Sequence, residues 1–322
     1  MIHLLFTGGT ISMQRNQSAG GNVPAHSGEA LVQFAGELDR ISPYRVENWA
    51  MVPACHLGPD RLWQLRERVR EVAGSGEVGG IVITHGTDIM EESAYLLDRS
   101  LSGTVPIVLT GAMRTAGDEG WDGARNLRDA VIVAADLESR GRGVLVVFHG
   151  KVFAGRTAVK VHTTDVDAFA APYSAPIGKV DGGSVVYPET STVPGTQNDG
   201  ELTALAPKTL EARVALVPMV VGDTGEMLDF ARSKHSGVVI VAFGSGNVPP
   251  GAVPAIRRWI DEGKPVVLAS RCPLGVVTPS YAFDGGGSQL VRMGVIPAGP
   301  RTPSQARMEL MLALSAGVSY GT

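Results

Sequence analysis

The chain has 322 residues, 44% of them apolar, with 28 Lys and Arg against 32 Asp and Glu for a formal net charge of -4. That length suits two domains with sizeable cores, and so even a charge balance speaks against a nucleic-acid or anionic-membrane partner, either of which needs clustered Lys and Arg. No apolar run reaches the roughly 18 residues of a membrane span, and "MIHLLFTGGT" is broken by glycine too soon for a signal peptide, so a cytoplasmic location is expected.

The first predicted element is the strand Ile2–Phe6. Further unalternating apolar runs follow at Gly80–Thr84, Val105–Thr110, Val144–Phe148, Val214–Val220, Val238–Phe243 and Val266–Ala269. Runs of this kind mark strands covered on both faces, hence a parallel sheet. Helical spacing lies between them: Leu62, Leu65, Val69 and Val72; Met90–Leu97, with acids in its first turn; Leu127, Val131 and Ala134; Val253, Ile256 and Ile260. Strand and helix in alternation predict a doubly wound α/β architecture with its ligand at the carboxyl ends of the strands. The Pro-, Gly-, Asn- and Thr-rich segment Ser191–Arg213 reads as a linker, which divides the chain into domains 1–190 and 214–322.

Candidate chemistry sits where strands end in glycine-rich turns. Thr10 lies in "LLFTGGTISM", where glycines let the backbone turn tightly and approach a ligand. A plain βα turn fits the same letters; neither GxGxxG nor a P-loop lysine accompanies them. In "THGTDIMEE", Thr87 and Asp88 follow a predicted strand, and Asp88 reads equally as a helix-start acid favoured by the dipole. A threonine hydroxyl needs a base to attack, and an amine such as that of Lys160, in "AVKVHTTDVDAF", could serve; alone, that lysine reads as a solvated surface residue. Cys55 and Cys272 form no CxxC motif and the seven histidines no HExxH-like spacing, so neither a disulfide framework nor a metal site is expected.

Taken together these stretches resemble the bacterial-type L-asparaginase/glutaminase family of amidohydrolases. The match runs in order through "TGGTI" (Thr7–Ile11), "THGTD" (Thr84–Asp88), "PIVLTGAMR" (Pro106–Arg114), "DGARNLRDAV" (Asp122–Val131), "AVKVHTTDVDAFAAP" (Ala158–Pro172), "GSGNVP" (Gly244–Pro249) and "SRCPLG" (Ser270–Gly275). The resemblance implies a larger flavodoxin-like N-terminal domain with a parallel sheet and a smaller α/β C-terminal domain, assembled as a homotetramer of intimate dimers. It implies hydrolysis of a small-molecule carboxamide to carboxylate and ammonia through a covalent acyl-enzyme, with no metal or organic cofactor. By position, Thr10 is the nucleophile, Thr87, Asp88 and Lys160 form a second hydroxyl–carboxylate–amine group, and the backbone N–H groups of Thr87 and Ala112 meet the oxyanion.

Three departures bear on substrate. The family's lid tyrosine is absent from Ser12–Ala30, where Val23 stands near its position and Ser18, His26 or Ser27 could replace it. Cys55 and His56 stand where the family has a serine and a glutamine or acid that hold the amino-acid head group, and a charged His56 would repel an α-ammonium and welcome a carboxylate. Asn247 matches an asparagine that the neighbouring subunit contributes, whereas Asp284 is the sole acid near the place of the family's ammonium-binding glutamate. Altered partners in a polar site shift specificity more than chemistry. The expected function is therefore hydrolysis of L-asparagine or a close relative, with two alternatives: an amide or lactam lacking the amino-acid head group, or a non-catalytic ligand sensor.

Overall fold

A computed structural model describes residues 1–188 and 207–320, and the chain divides into two compact units, Met1–Ala204 and Leu205–Thr322. Residues 191–206 of the predicted linker lie outside the described residues.

In the first unit, β1 (Ile2–Gly8) leads into a hairpin of β2 (Met13–Asn16) and β3 (Gly21–Pro24). There follow α1 (Gly28–Ala35), β4 (Tyr44–Val52), α2 (Pro59–Gly74), β5 (Gly80–Thr84), α3 (Met90–Ser100), β6 (Ile107–Thr110), α4 (Gly123–Ala135) and β7 (Val144–Phe148). Then come β8 (Lys151–Ala154), β9 (Val159–Lys160), β10 (Phe169–Ala170), β11 (Gly178–Asp181) and β12 (Ser184–Val186). The main sheet has eight strands in the order β12-β11-β8-β7-β6-β5-β1-β4. Its five strands β4, β1, β5, β6 and β7 are parallel, an order of flavodoxin type whose switch point lies between β1 and β5. The sequence predicted a parallel sheet; β8, β11 and β12 extend it antiparallel. The β7–β8 turn is His149-Gly150, both with φ > 0 (50° and 75°), the two-residue hairpin that such backbone favours.

The two faces follow from the period of two along each strand. Ile2, Leu4 and Phe6 of β1 pack with Leu31, Leu127 and Val131 under α1 and α4, whereas Leu5 packs with Leu65, Val69 and Leu97 under α2 and α3. Helix α2 starts on Pro59, which needs no N–H partner at that position, and has Asp60 in its first turn. Its fully buried Leu65 and Val69 contribute about 1.5–3 kcal/mol each.

The second unit contains β13 (Val214–Pro218), α5 (Glu226–Arg232), β14 (Gly237–Ala242), α6 (Val253–Asp261), β15 (Val266–Ser270), α7 (Gly287–Arg292), β16 (Ile296–Pro297) and α8 (Pro303–Ser315). Its four strands are parallel in chain order around a core that includes Ile240, Ile256, Trp259 and Leu268. Helix α8 opens on a capping box, Thr302 with Gln305. Among the described residues no helix is long and apolar enough to cross a membrane.

Candidate active site

The turns after β1, β4, β5 and β6 meet at the carboxyl edge of the larger sheet, and glycines make the meeting possible. Gly8 and Gly9 have φ of 104° and 86°, values that L side chains rarely adopt. A methyl on Gly8 would lie 2.6 Å from both Val52 N and Val52 O, and one on Gly9 would fall on the Gly86 Cα. Gly86 in turn leaves the space that the Ala54 Cβ fills, 2.6 Å from where its own Cβ would be. Backbone therefore touches backbone across three turns, and the Thr7 hydroxyl adds a buried bond to the Thr84 carbonyl (2.9 Å).

Thr10 opens a 3-10 turn, Thr10–Ser12, and is half-buried. Ser12 fixes that turn: its hydroxyl donates to the Gly9 carbonyl (2.9 Å), and its own carbonyl accepts from Ala25 N (2.9 Å) and His26 N (3.0 Å), closing the base of the β2–β3 hairpin. Within Ser12–Ala30, the segment that lacks the family's lid tyrosine, β2 and β3 form a short hairpin with Gln14 opposite Val23. Of the three residues considered in place of the lid tyrosine, Ser18 is exposed at the hairpin tip. Ser27 caps α1 through Ala30 N (3.5 Å), and His26 stacks edge-on against Phe34 (centroids 5.3 Å apart).

Thr87 begins a 3-10 turn, Thr87–Ile89, that runs into α3; it is buried, and Asp88 beside it is exposed. Lys160 reaches both: Nζ donates to Thr87 Oγ1 (2.8 Å) and to Asp88 Oδ1 (3.1 Å). The lysine comes from the short antiparallel pair β9–β10, and its main-chain N–H donates to Glu91 Oε2 (3.1 Å). The sequence shows Glu91 only as an acid in the first turn of α3, with nothing to tie it to Lys160, and that strand pair has no signature of its own.

His85 is also new to the site. It is fully buried, its Nδ1 donates to the Gly86 carbonyl (2.8 Å), and the Ser93 hydroxyl donates to its Nε2 (3.1 Å). Burial pushes its pKa below the usual histidine value, so the ring is neutral and locks the peptide before Thr87. The β6 turn packs on the same residue, because a methyl on Gly111 would fall on the His85 carbonyl. Ala112 is buried in that turn, between main-chain groups held by Asp122 and Asn126.

Cys55 and His56 lie on the 3-10 turn Ala54–His56, both exposed, one residue beyond the Ala54 that rests on Gly86. Asn247 belongs to the second unit, where its side-chain oxygen accepts from Gly287 N (3.2 Å); Asp284 there is exposed and accepts from Gln289 Nε2 (3.1 Å). Among the described residues no three His, Cys, Asp or Glu side chains gather as metal ligands.

Residues 1–192 match the family model "Asparaginase, N-terminal", and residues 213–321 match "Glutaminase/Asparaginase C-terminal domain". The chain is 38% identical to a probable L-asparaginase of Deinococcus radiodurans over 98% of its own length and 93% of that protein. It is 31% identical to a glutamyl-tRNA(Gln) amidotransferase component of Pyrococcus furiosus, over 97% of this chain and 72% of that one. The crystal structure of a probable cytoplasmic L-asparaginase from Campylobacter jejuni superposes with a TM-score of 0.82 at 26% identity, covering 97% of this chain and 94% of that one.

Proposed function

The chain belongs to the asparaginase family and is an asparaginase-type amidohydrolase, and on that premise we propose that it cleaves the side-chain carboxamide of L-asparagine or a close relative through an acyl-enzyme on Thr10. The observation that carries this reading is the Lys160 amine within hydrogen-bond reach of both Thr87 Oγ1 and Asp88 Oδ1, beside the turn contact of Gly9 with Gly86.

The Thr10 hydroxyl attacks the amide carbon, its proton leaves, and the carbonyl oxygen becomes an oxyanion facing the N–H groups of Thr87 and Ala112. Donors of that kind contribute about 2.7–4 kcal/mol each. The amide nitrogen takes up that proton as the C–N bond breaks and leaves as ammonia, and an ester remains on Thr10; water then attacks the ester, releasing the acid and restoring the hydroxyl. The Lys160–Thr87 contact serves the proton traffic. With the amine charged, Lys160 donates to Thr87; with the amine neutral the bond reverses and Thr87 donates, drawing a proton from an attacking group through its own oxygen.

A second reading is favoured by the exposed Cys55-His56 turn: an amide without a free amino-acid head group, since cysteine is a poor donor and a charged histidine favours a carboxylate. We further propose that the two units are a catalytic N-terminal domain and a C-terminal domain that lends Asn247 to a neighbouring copy in a homo-oligomer. A cytoplasmic location is supported by the free thiols of Cys55 and Cys272.

Ammonia release tests the substrate. The panel is L-asparagine, L-glutamine, D-asparagine, succinamic acid and small lactams. Turnover of L-asparagine at millimolar concentration supports the first reading; turnover confined to head-group-free amides supports the second. Silence on the whole panel, with ligand binding seen as a shift in melting temperature, would favour a sensor.

A further inference from the structure

We propose that Asp122 and Asn126 are positioning residues that aim the Ala112 N–H at the developing oxyanion; the inference rests on the functional reading above. Both stand in the motif "DGARNL", which the hydrolytic steps do not use directly. Asp122 occupies the N-cap position of α4, where an aspartate ordinarily accepts from the first free N–H groups of its own helix. Here it forms no such cap. Its carboxylate turns instead to the β6 turn and accepts from Met113 N (3.1 and 3.0 Å to the two oxygens) and Arg114 N (3.0 Å). It also accepts from Asn126 Nδ2 (3.0 Å), one helical turn on. Asn126 Nδ2 donates a second bond, to the Gly111 carbonyl (3.0 Å), while Asn126 Oδ1 accepts from His149 N (3.1 Å).

The consequence follows from peptide planarity. The Gly111 carbonyl and the Ala112 N–H belong to one trans peptide unit and point in opposite directions, so fixing the oxygen fixes the direction of the N–H. The next unit, Ala112 carbonyl with Met113 N–H, is held by Asp122. Both peptide planes that meet at the Ala112 Cα are therefore clamped from α4. Across the turn there is no slack either, because Gly111 abuts the His85 carbonyl. A preorganised donor keeps its full effect in the transition state, whereas one free to swing must be reoriented in each turnover.

The test uses the full-length protein and four forms: parent, Asp122→Ala, Asp122→Asn and Asn126→Leu. Turnover is normalised to folded protein and compared with KM, and hydrogen exchange of the peptide spanning Thr110–Thr115 reads the turn without substrate. In Asp122→Ala and Asn126→Leu the expected result is kcat lowered about tenfold or more, KM within about threefold, and faster exchange in that segment. Asp122→Asn, which keeps one acceptor oxygen, is expected between the parent and Asp122→Ala. A variant that speeds exchange yet keeps kcat within twofold overturns the role, and so does unchanged exchange in both clamp-breaking variants. If the parent releases ammonia and Thr10→Ala does not, such a result overturns the inference alone. A parent inert on every amide overturns the functional reading beneath it.

Discussion

The two sides of the candidate site are built differently. On the hydrolytic side, Gly8, Gly9, Gly86 and Gly111 bring main chain against main chain, and a neutral, buried His85 locks the peptide that carries Thr87. On the side expected to hold the head group, Cys55 and His56 sit exposed on a single 3-10 turn, tied in through the neighbouring Ala54. The turns that carry Thr10, Thr87 and Ala112, the groups proposed to act on the amide, are thus held by backbone contacts that leave no room for side chains. Those expected to read the rest of the substrate can be exchanged without disturbing the frame.

That contrast can be broken most severely at Thr10. Thr10→Ala is expected to lower kcat about 10³-fold or more while leaving the melting temperature close to the parent's, measured by ammonia release and calorimetry. Lys160→Met removes the partner of Thr87 and Asp88, and kcat is expected to fall roughly 10²–10⁴-fold with a smaller change in KM. Exchanging the exposed pair, Cys55→Ser with His56→Gln, is expected to raise the preference for L-asparagine over succinamic acid by about 10–100-fold in kcat/KM, with the hydrolytic step retained. The frame itself is tested by Gly9→Ala against His56→Ala. The former forces a side chain into a backbone region that glycine alone tolerates, which costs about 1–3 kcal/mol, before the collision with Gly86 is added. Its melting temperature should drop by several degrees, about 2–4 °C per kcal/mol, whereas His56→Ala should barely move it.

The smallest effect expected is that of pH. Burial lowers the pKa of His85, and it also lowers that of His3 against the opposing pull of Glu47. A base with a depressed pKa in the folded state takes up its proton first in the unfolded chain. The stability tied to its neutral form is therefore present above about pH 6.5 and is lost as pH falls below it. The melting temperature should decline from pH 7.5 to pH 5, and His85→Gln should flatten part of that decline.

How much of this the sequence disclosed depends on which contacts make each element. Strands buried on both faces, such as Gly80–Thr84 and Val144–Phe148, announce themselves as continuous apolar runs. Tyr44–Val52, the edge strand β4, has half-buried and exposed positions mixed along its length and no such signature. The β2–β3 hairpin reads as a loop in sequence because its polar, glycine-containing strands take their register from Ser12 and from each other, not from a core face. At the site, the threonines and the lysine are visible through the motifs that contain them. Their coming together is not, since Lys160 reaches Thr87 from 73 residues away. Asp122 and Asn126 have the four-residue spacing of one helix face, but nothing in that spacing says that the aspartate leaves its own helix uncapped to hold Met113 and Arg114.

The most direct test of the central claim is rapid acid quench of the enzyme with its substrate, followed by intact-mass and peptide mass spectrometry. The predicted result is a transient acyl adduct on the peptide that contains Thr10, appearing no more slowly than ammonia is released and absent from Thr10→Ala. Ammonia release with no adduct at any time, together with undiminished turnover in Thr10→Ala, would contradict it.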